Sequence, residues 1–318
     1  MEMLYAAHGL RLSCTFALPG MDAATPASED LPQLSLALLD PVELERLWSG
    51  GDGAPAWRGR QGDGRDLTIE RGSVGDLLFT YGDLARFRLD PGMRRLDCAP
   101  RDPGLDWQRA LIGKVIPSIS VMRGYEALHA AAVDSPEGVI AIMAPSGSGK
   151  STLALELLRR GWPLFADDVL TLAHAGGEVR AHPGTPHMSV AQTLPETVDP
   201  QTLGSTIGVI AGERWLAAGA STARPRPVRM LCLLQRGEGL PLETHTLDPN
   251  PVALTPFMLG LSSDSERQRS RFCLYADLLA SATLVRLTAG LEHRPGQLAD
   301  LLERALARQP ELIAGAIR

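Results

Sequence analysis

The sequence lacks the features that mark secreted, metal-binding or membrane proteins. Its four cysteines, Cys14, Cys98, Cys232 and Cys273, are scattered, and no two have the CxxC spacing of a zinc or redox motif. They indicate the reduced thiols of a cytoplasmic protein. No apolar run reaches the ~18–20 residues of a membrane span, and the first residues have neither the basic nor the apolar region of a signal peptide. We therefore expect a cytoplasmic protein without a membrane partner.

The chain also lacks an excess of positive charge. Its 318 residues include 31 Lys and Arg against 37 Asp and Glu, which gives a net charge of −6. This balance argues against a broad nucleic-acid-binding surface, and we expect no nucleic-acid partner. The composition, 44% hydrophobic and 21% charged, is typical of a globular protein long enough for one large domain or two ordinary ones.

The strongest positive signal is the stretch MAPSGSGKST at positions 143–152, between an apolar run and a helical pattern. This strand–loop–helix order is typical of a phosphate-binding P-loop (Walker A motif), in which glycines let backbone N–H groups approach an anion. Ala144 replaces the usual first glycine, and the proline after it favours an extended conformation that alanine tolerates. The predicted nucleotide-binding residues are Pro145, Ser146, Gly147, Ser148, Gly149, Lys150, Ser151 and Thr152.

Two of these residues have predicted roles of their own. Lys150 is placed to reach the β- and γ-phosphates of a nucleoside triphosphate, and the Ser151 hydroxyl is placed to coordinate Mg²⁺. The helix that begins near Lys150 adds its positive N-terminal end. The P-loop therefore predicts ATP and Mg²⁺ as ligands.

Two adjacent acids, Asp167 and Asp168, lie in a second apolar run, 164–170, beyond the helix 150–160. A right-handed βαβ unit would make this run parallel to the strand before the P-loop. The carboxyl ends of both strands would then open onto one crevice. One acid can hold a metal ion while the other accepts a proton from an attacking hydroxyl. The alternative is two solvated acids at the end of a strand.

His129 lies in the apolar run 126–133, which precedes the turn 134–138. A hairpin centred on Pro136 would set residue 129 opposite residue 143, at the base of the P-loop. His129 could then orient an aspartate, or it could be an ordinary core histidine. His174, His182 and His187 lack the spacing and acidic partners of a metal site, and we interpret them as surface or loop residues.

The remaining patterns predict an α/β protein in two parts. Short alternating runs with turn residues between them indicate a small β-rich domain at 1–104, in which 49–65 is a loop. A helical pattern at 105–123, which Pro117 would kink or break, opens the P-loop domain at 105–318. In that domain we predict a hairpin at 171–182 and mostly loop with a short helix at 191–225. Strands near 228–234, 242–247 and 283–287, and helices at 266–281 and 296–306, complete it.

Absent motifs narrow the class of P-loop protein. The sequence has no LSGGQ stretch, which disfavours an ABC-type ATPase, and no NKxD motif, which disfavours a GTPase. A small-molecule or nucleotide kinase stays open, although no arginine-rich lid is evident.

Three stretches carry a resemblance to a known family: LHAAAV at 128–133, APSGSGKST at 144–152 and RGWPLFADD at 160–168. They resemble the HPr kinase/phosphorylase family, and more closely the HPr-kinase-like proteins of lasso-peptide and related ribosomal-peptide gene clusters. The segments YAAHGL at 5–10 and ASATLVRL at 280–287 are similar to that group as well. The resemblance covers nearly the whole chain and is specific over 126–170.

The resemblance implies a fold similar to phosphoenolpyruvate carboxykinase and a serine kinase that uses ATP and Mg²⁺. It implies that Asp167 is the catalytic base, that Asp168 assists the metal with Ser151, and that His129 supports the base. The EIRGLG signature of true HPr kinases is absent, and the corresponding region reads AHPGTPHM at 181–188. This departure weakens the case for phosphorylase activity and for HPr itself as substrate.

The leading hypothesis is therefore a kinase that phosphorylates a serine near the C-terminus of a precursor peptide. One alternative is a kinase of an HPr-like carrier protein, and another is a nucleotide-gated binding or ATPase module that transfers no phosphate to a partner. The expected partner is a precursor peptide or small protein, with a homo-oligomer left open.

Overall fold

The computed structural model describes residues 2–21, 30–51, 55–191, 204–219, 221–260 and 264–308. Within these residues the chain forms sheets of eight, nine and three strands, with helices packed against them. This mixed α/β architecture is the predicted class. No helix in the described part of the chain is both long and apolar enough to cross a membrane.

The eight-stranded N-terminal sheet has the order β1-β2-β3-β8-β7-β6-β5-β4. The stretch from β4 to β8 is an antiparallel meander joined by turns, which the alternating runs in this region predict. One strand, β4, lies inside 49–65, so the prediction of a loop there was wrong in part. The elements are β1 (Met3–Ala7), β2 (Leu10–Cys14), β3 (Gln33–Leu38), α1 (Pro41–Leu47), β4 (Trp57–Arg60), β5 (Asp66–Arg71), β6 (Leu77–Tyr81), β7 (Ala85–Leu89) and β8 (Arg95–Pro100).

A helical segment covers one face of this sheet. It consists of α2 (Asp106–Ala110), a π-helical turn (Leu111–Val115) and α3 (Ile116–Met122). Pro117 lies in the first turn of α3, a position at which a missing backbone N–H costs little. The π-helical turn before it widens the helix and leaves room for the proline ring. Trp107 and Ile119 pack in one hydrophobic core with strand residues such as Phe79, so this core extends across the predicted boundary near 104.

The nine-stranded sheet has the order β12-β10-β11-β18-β14-β13-β9, and β20 and β19 extend it from β18. A small three-stranded sheet, β15-β17-β16, lies beside it. The strands are β9 (Glu126–His129), β10 (Ala131–Ser135), β11 (Gly138–Met143), β12 (Leu164–Ala166), β13 (Val169–Ala175), β14 (Glu178–His182), β15 (His187–Ala191), β16 (Gly204–Ile210), β17 (Glu213–Ala218), β18 (Arg226–Gly237), β19 (Glu243–Thr246) and β20 (Thr283–Gly290).

Helices cover both faces of the nine-stranded sheet, which is why its strand β11 is apolar and buried at every position. In β11, Ile140 and Ile142 face α4 (Lys150–Arg159) and α6 (Pro295–Ala307). The alternate residues Val139 and Ala141 belong to the core under α5 (Ser265–Ser281). A 3-10 helix, Pro251–Phe257, packs beside α5. The predicted helices near 266–281 and 296–306 are confirmed.

Two apolar runs that read as single strands are each divided in the structure. The run 126–133 breaks at Ala130: β9 pairs with β13, and only β10 pairs with β11. The hairpin register sets Ala131 opposite Ile142, one residue away from the predicted pairing. The run 164–170 breaks at its two acids. Strands β11 and β12 do run in the same direction, but β10 lies between them and is antiparallel to both.

The prediction for 191–225 was wrong where the structure describes it. Strands β16 and β17 form a hairpin there, and β17 also pairs with β15. Residues 192–203 and 220, where a short helix was predicted in part, lie outside the described residues.

Candidate active site

The loop after β11 has the backbone shape that a phosphate cradle requires. Gly147 and Gly149 have φ angles of +80° and +88°, a region that residues with a Cβ rarely enter. Gly149 precedes the first turn of α4, and Lys150 is the first residue of that helix and is buried. The predicted strand–loop–helix arrangement is thus present, with Lys150 and Ser151 at the positive end of the helix.

Asp167 and Asp168 occupy a tight turn between β12 and β13, not the end of one strand. The Val169 N–H donates to the Asp167 carbonyl at 2.9 Å, and Asp168 has a φ of +66°. Together these define a γ-turn centred on a residue with positive φ, a conformation that costs about 1–3 kcal/mol. A non-glycine residue persists there only when its surroundings hold it, which is common at functional sites.

Asp167 contacts the P-loop helix directly. The Ser151 hydroxyl donates to Asp167 Oδ1 at 3.2 Å, and the Ser189 backbone N–H donates to Oδ2 at 3.0 Å. Burial, and then the negative charge of Asp168, raises the pKa of Asp167 to about 6. Near neutral pH the carboxylate is ionised but takes up a proton readily, as a general base must.

Asp168 faces two lysines. Lys150 Nζ lies 3.9 Å from Asp168 Oδ1, and Lys114 Nζ lies 3.8 Å from Oδ2. Burial alone would raise the pKa of Asp168, but the charges of Lys114 and Lys150 outweigh it and hold the pKa below its usual value. The two adjacent acids therefore differ: Asp168 stays an anion under conditions in which Asp167 can be protonated.

The ring of His129 contacts the backbone of the turn that carries the two acids. Its Nδ1 lies 2.9 Å from the carbonyl oxygen of Asp168, which also accepts the Ala130 N–H at 3.2 Å. Because a carbonyl only accepts, Nδ1 carries the proton and Nε2 has the lone pair. Burial, and then the charge of Lys150, lowers the pKa of His129, which favours the neutral ring. The predicted contact with an aspartate is present, but it is made to the carbonyl and not to the carboxylate.

Two residues that the sequence reasoning did not select contact the acids. Ser189 follows an irregular loop into β15, and nothing in the local sequence indicates its role. Lys114 had a detectable signal, since it is the one charged residue in the otherwise uncharged stretch 110–122. A lysine in such a stretch is costly to bury without a partner, and its partner here is Asp168.

A cavity of about 330 Å³ opens in front of the acids. The P-loop side of its wall includes Ser146 as well as the two acids and His129. The N-terminal sheet contributes residues of the β4–β5 turn at 61–65 and Tyr81 to the lining, and the helical segment contributes Arg109 and Lys114. The cavity lies in the size range of ligand pockets and combines both parts of the chain.

The interpretation of the other histidines as surface or loop residues holds for one of three. His174 is exposed and lies 3.0 Å from Asp277. His182 and His187 are buried. His187 stacks on Trp215 with ring centroids 4.8 Å apart and contacts the Pro19 carbonyl at 2.6 Å. Their burial depends on the N-terminal strands and the three-stranded sheet, contacts too distant in sequence to anticipate.

The described residues contain no cluster of three or more His, Cys, Asp or Glu side chains that would hold a metal ion alone. In nucleotide sites Mg²⁺ is coordinated by one or two protein oxygens together with the substrate phosphates. Ser151, Asp167 and Asp168 supply oxygens of the required type beside the P-loop, so the donor set fits Mg²⁺ bound together with a nucleotide.

Comparisons with known proteins add a similarity to solved structures. No protein-family model matches the chain, and no curated protein matches it. Among solved structures, the HPr(Ser) kinase/phosphatase from Coxiella burnetii is similar, with 15% sequence identity and a TM-score of 0.34. The match covers 58% of this chain and 98% of that chain. A TM-score this low does not establish a common fold, so the function is inferred from the site itself.

Proposed function

We propose that this protein is an ATP-dependent kinase that transfers the γ-phosphoryl group of ATP to a serine hydroxyl of a peptide. The observation that carries the proposal is that a P-loop serine and a P-loop lysine each contact one of two unlike carboxylates, and that both carboxylates line one cavity. A P-loop alone indicates nucleotide binding. A carboxylate with a pKa near 6 beside it adds a group that accepts the proton of an attacking hydroxyl.

In the proposed reaction Lys150 binds the β- and γ-phosphates, and Asp167 accepts the serine proton. The serine oxygen forms a bond to the γ-phosphorus while the bond from that phosphorus to the β–γ bridging oxygen breaks, leaving ADP. Mg²⁺, held by Ser151 and Asp168 with the phosphates, supplies charge neutralisation when bound. The protein contributes mainly position and electrostatic stabilisation. His129 holds the turn that presents both acids.

A second assignment of the acids has its own support. The hydrogen bond from Ser151 to Asp167 at 3.2 Å is the pairing expected of a P-loop serine and an acid that share a metal. In that assignment Asp167 holds Mg²⁺ and Asp168 is the base. We favour Asp167 as the base because Asp168 pairs with two lysines and has a lowered pKa, which weakens it as a proton acceptor.

The acceptor is proposed to enter from the N-terminal sheet. The β4–β5 turn, with Asp63 and Arg65, and Tyr81 line the same cavity as the acids, so we propose that they contact residues beside the acceptor serine. The resemblance of the P-loop and Ala166-Asp167-Asp168 segments to the kinases of lasso-peptide clusters favours a cytoplasmic precursor peptide. An HPr-like carrier protein is the alternative acceptor.

The test is to incubate the protein with ATP, Mg²⁺ and a candidate precursor peptide, and to look for a mass gain of one phosphate. Asp167→Asn should lower the rate of transfer about 10²–10⁴-fold while ATP binding survives. Asp277→Asn is the matched control, since the Asp277 side chain is 65% exposed, does not line the cavity and should leave the rate unchanged.

Three outcomes separate the alternatives. Wild-type turnover by Asp167→Asn would show that Asp167 is not the base. Loss of transfer in Asp168→Asn, with Mg²⁺ affinity reduced only in Asp167→Asn, would support the second assignment. ATP hydrolysis without phosphorylation of any peptide would favour an ATPase or nucleotide-gated module, and phosphorylation of an HPr-like protein instead of the peptide would identify the carrier-protein alternative.

A further inference from the structure

The tip of the first hairpin is buried, although turns between strands usually lie at the surface. His8 and Gly9 form the two-residue turn between β1 and β2, and their φ angles are +54° and +76°. Turns of this kind usually have Asn, Asp or Gly at the first position, so a histidine there is unusual. His8 is 2% exposed, and Gly9 is buried as well. The tip of this hairpin is therefore enclosed by other parts of the chain.

His8 contacts a strand that leads directly from the turn formed by Asp167 and Asp168, which we call the acid turn. The His8 Nδ1 lies 3.1 Å from the hydroxyl oxygen of Thr171, a completely buried residue of β13 three positions after Asp168. The His8 backbone N–H donates to the Pro183 carbonyl oxygen at 2.7 Å. Burial lowers the pKa of His8 to about 3, so the ring is neutral near pH 7 and these contacts do not depend on its charge.

On the other side of the acid turn, the contact with β12 is made through Gly184. The Gly184 N–H donates to the Phe165 carbonyl oxygen at 2.9 Å. A Cβ at Gly184 would lie 3.0 Å from the Ala166 Cβ and 3.4 Å from the His8 ring. The missing side chain thus allows the close approach of this backbone to both groups. Ala166 is the residue before Asp167, so the His8 ring is one backbone segment away from the start of the acid turn.

Gly9 connects the same hairpin tip to β9. The Tyr125 hydroxyl donates to the Gly9 carbonyl oxygen at 2.9 Å, and a Cβ at Gly9 would lie 2.5 Å from the Tyr125 ring. Tyr125 directly precedes β9, the strand whose His129 contacts the Asp168 carbonyl. The hairpin tip is therefore connected to β12, β13 and β9, the three strands that flank the acid turn.

We propose that His8 is a positioning residue for phosphoryl transfer, an inference that rests on the proposed kinase function. The acid turn has strained backbone geometry at Asp168, which persists only when the surrounding structure holds it. His129 holds its carbonyl, and His8 holds the strands on which it is built. His8 lines neither the P-loop nor the cavity. Its loss should therefore displace the acids without changing nucleotide binding, and a displacement of about 1 Å can lower a rate about 10²-fold.

The experiment compares variants of the full chain by three measurements: kcat for peptide phosphorylation, Kd for Mg·ATP by calorimetry, and amide hydrogen exchange by mass spectrometry. His8→Ala should lower kcat about 10–10²-fold, with the Kd within about twofold of wild type. The segment that contains Val169 should exchange faster, because the Val169 N–H closes the acid turn, while exchange in α4 should not change. His8→Asn should recover most of the rate, since asparagine tolerates positive φ and its amide can bond to Thr171.

Two further variants control the comparison. His174→Ala is the matched substitution in the same strand as Thr171, at a side chain that is 49% exposed, and it should change none of the three measurements. Thr171→Val keeps the shape of its side chain but removes the hydroxyl that contacts His8. It should lower kcat about 3–10-fold, and it provides the test if His8→Ala fails to fold.

Other results would overturn the inference, and they separate it from the kinase proposal. A wild-type kcat in His8→Ala, or in Thr171→Val if only that variant folds, would show that the hairpin tip does not position the acids, while the kinase proposal stands. Equal losses of kcat and Mg·ATP affinity, or faster exchange throughout the chain, would show a general structural role instead. If the wild-type chain phosphorylates no acceptor, the proposed function fails before any variant is compared, and this inference fails with it.

Discussion

The buried acids of the N-terminal sheet and the two acids beside the P-loop differ in how completely they are paired. In the N-terminal sheet, Asp76 and Asp97 are almost completely buried, and Arg88 bonds to both at 2.8 and 3.3 Å. Ser49 donates a further hydrogen bond to Asp76 at 2.6 Å. Neither acid lines the cavity beside the P-loop. These carboxylates are paired with an arginine from a neighbouring strand, so they stabilise the sheet and are not available to bind a ligand.

Around the two acids beside the P-loop, the charged groups are close but incompletely paired. Asp168 lies 3.8 and 3.9 Å from its two lysines, beyond the length of a direct hydrogen bond, and its turn has strained backbone geometry. A bound phosphate could satisfy Lys150 more fully than Asp168 does. The contrast indicates that the first charge network serves stability and the second serves ligand binding, a difference that mutation can test.

The largest expected effect is on the stability of the N-terminal network. Asp76→Ala leaves Arg88 buried with one acid fewer, and breaking a buried pair from one side typically costs about 3–5 kcal/mol. We expect the free energy of unfolding in urea to fall by that amount. Asp83→Ala, at an 85% exposed position, should change it by less than about 0.5 kcal/mol. A similar small loss for Asp76→Ala would mean that the network does not stabilise the sheet.

A slightly smaller effect, and on activity instead of stability, is expected at the P-loop. Lys150→Met keeps the length of the side chain but removes the charge that faces the transferred phosphate. We expect kcat/KM for ATP to fall about 10²–10³-fold, or about 2.7–4 kcal/mol, with the thermal midpoint little changed. Arg58→Met, at a side chain 66% exposed, is the charge-matched control. A normal kcat/KM in Lys150→Met would show that the charges beside the P-loop do not serve phosphate binding.

The smallest expected effect is the decrease in the free energy of unfolding that the buried, ionised Asp167 causes. Its pKa rises from 3.8 in the unfolded chain to about 6 in the folded protein, so the folded state binds the proton more tightly. Stability therefore decreases as pH rises from about 4 to about 6, and the loss persists above that range. Asp167→Asn, which cannot ionise, should be more stable than wild type at pH 8 by about 1–3 kcal/mol.

The pH dependence provides the control for this last prediction. At pH 3, where Asp167 is mostly protonated in both states, the two proteins should unfold at similar urea concentrations. An Asp167→Asn variant that is less stable than wild type at pH 8 would mean that the bonds to Ser151 and Ser189 outweigh the burial of charge. Asp167 would then stabilise the folded state, as Asp76 does, and its burial would not lower the free energy of unfolding.

Much of the fold follows from local sequence patterns. The β-rich character of the N-terminal part was predicted because short runs with alternating residues lie between turns such as Pro91-Gly92, and strands such as β5 and β7 do alternate in burial. Helices α5 and α6 were predicted from their length and periodicity. The breaks at Ala130 and at the two acids were missed, because an apolar run looks continuous even where its hydrogen-bonding partner changes. Which sheet a strand joins depends on partners that lie far away in the chain.

The sequence by itself determined the P-loop: strand β11, two glycines in positive-φ positions and the helix that begins at Lys150 are contiguous, so local rules are sufficient. It also identified Asp167, Asp168 and His129 as the residues to examine. Only the tertiary structure decided what surrounds them. It brought in Lys114, Ser189 and the β4–β5 turn, made the two adjacent acids unlike, and placed a cavity in front of them. These features depend on long-range packing, which sets burial and charge distances that no local pattern encodes.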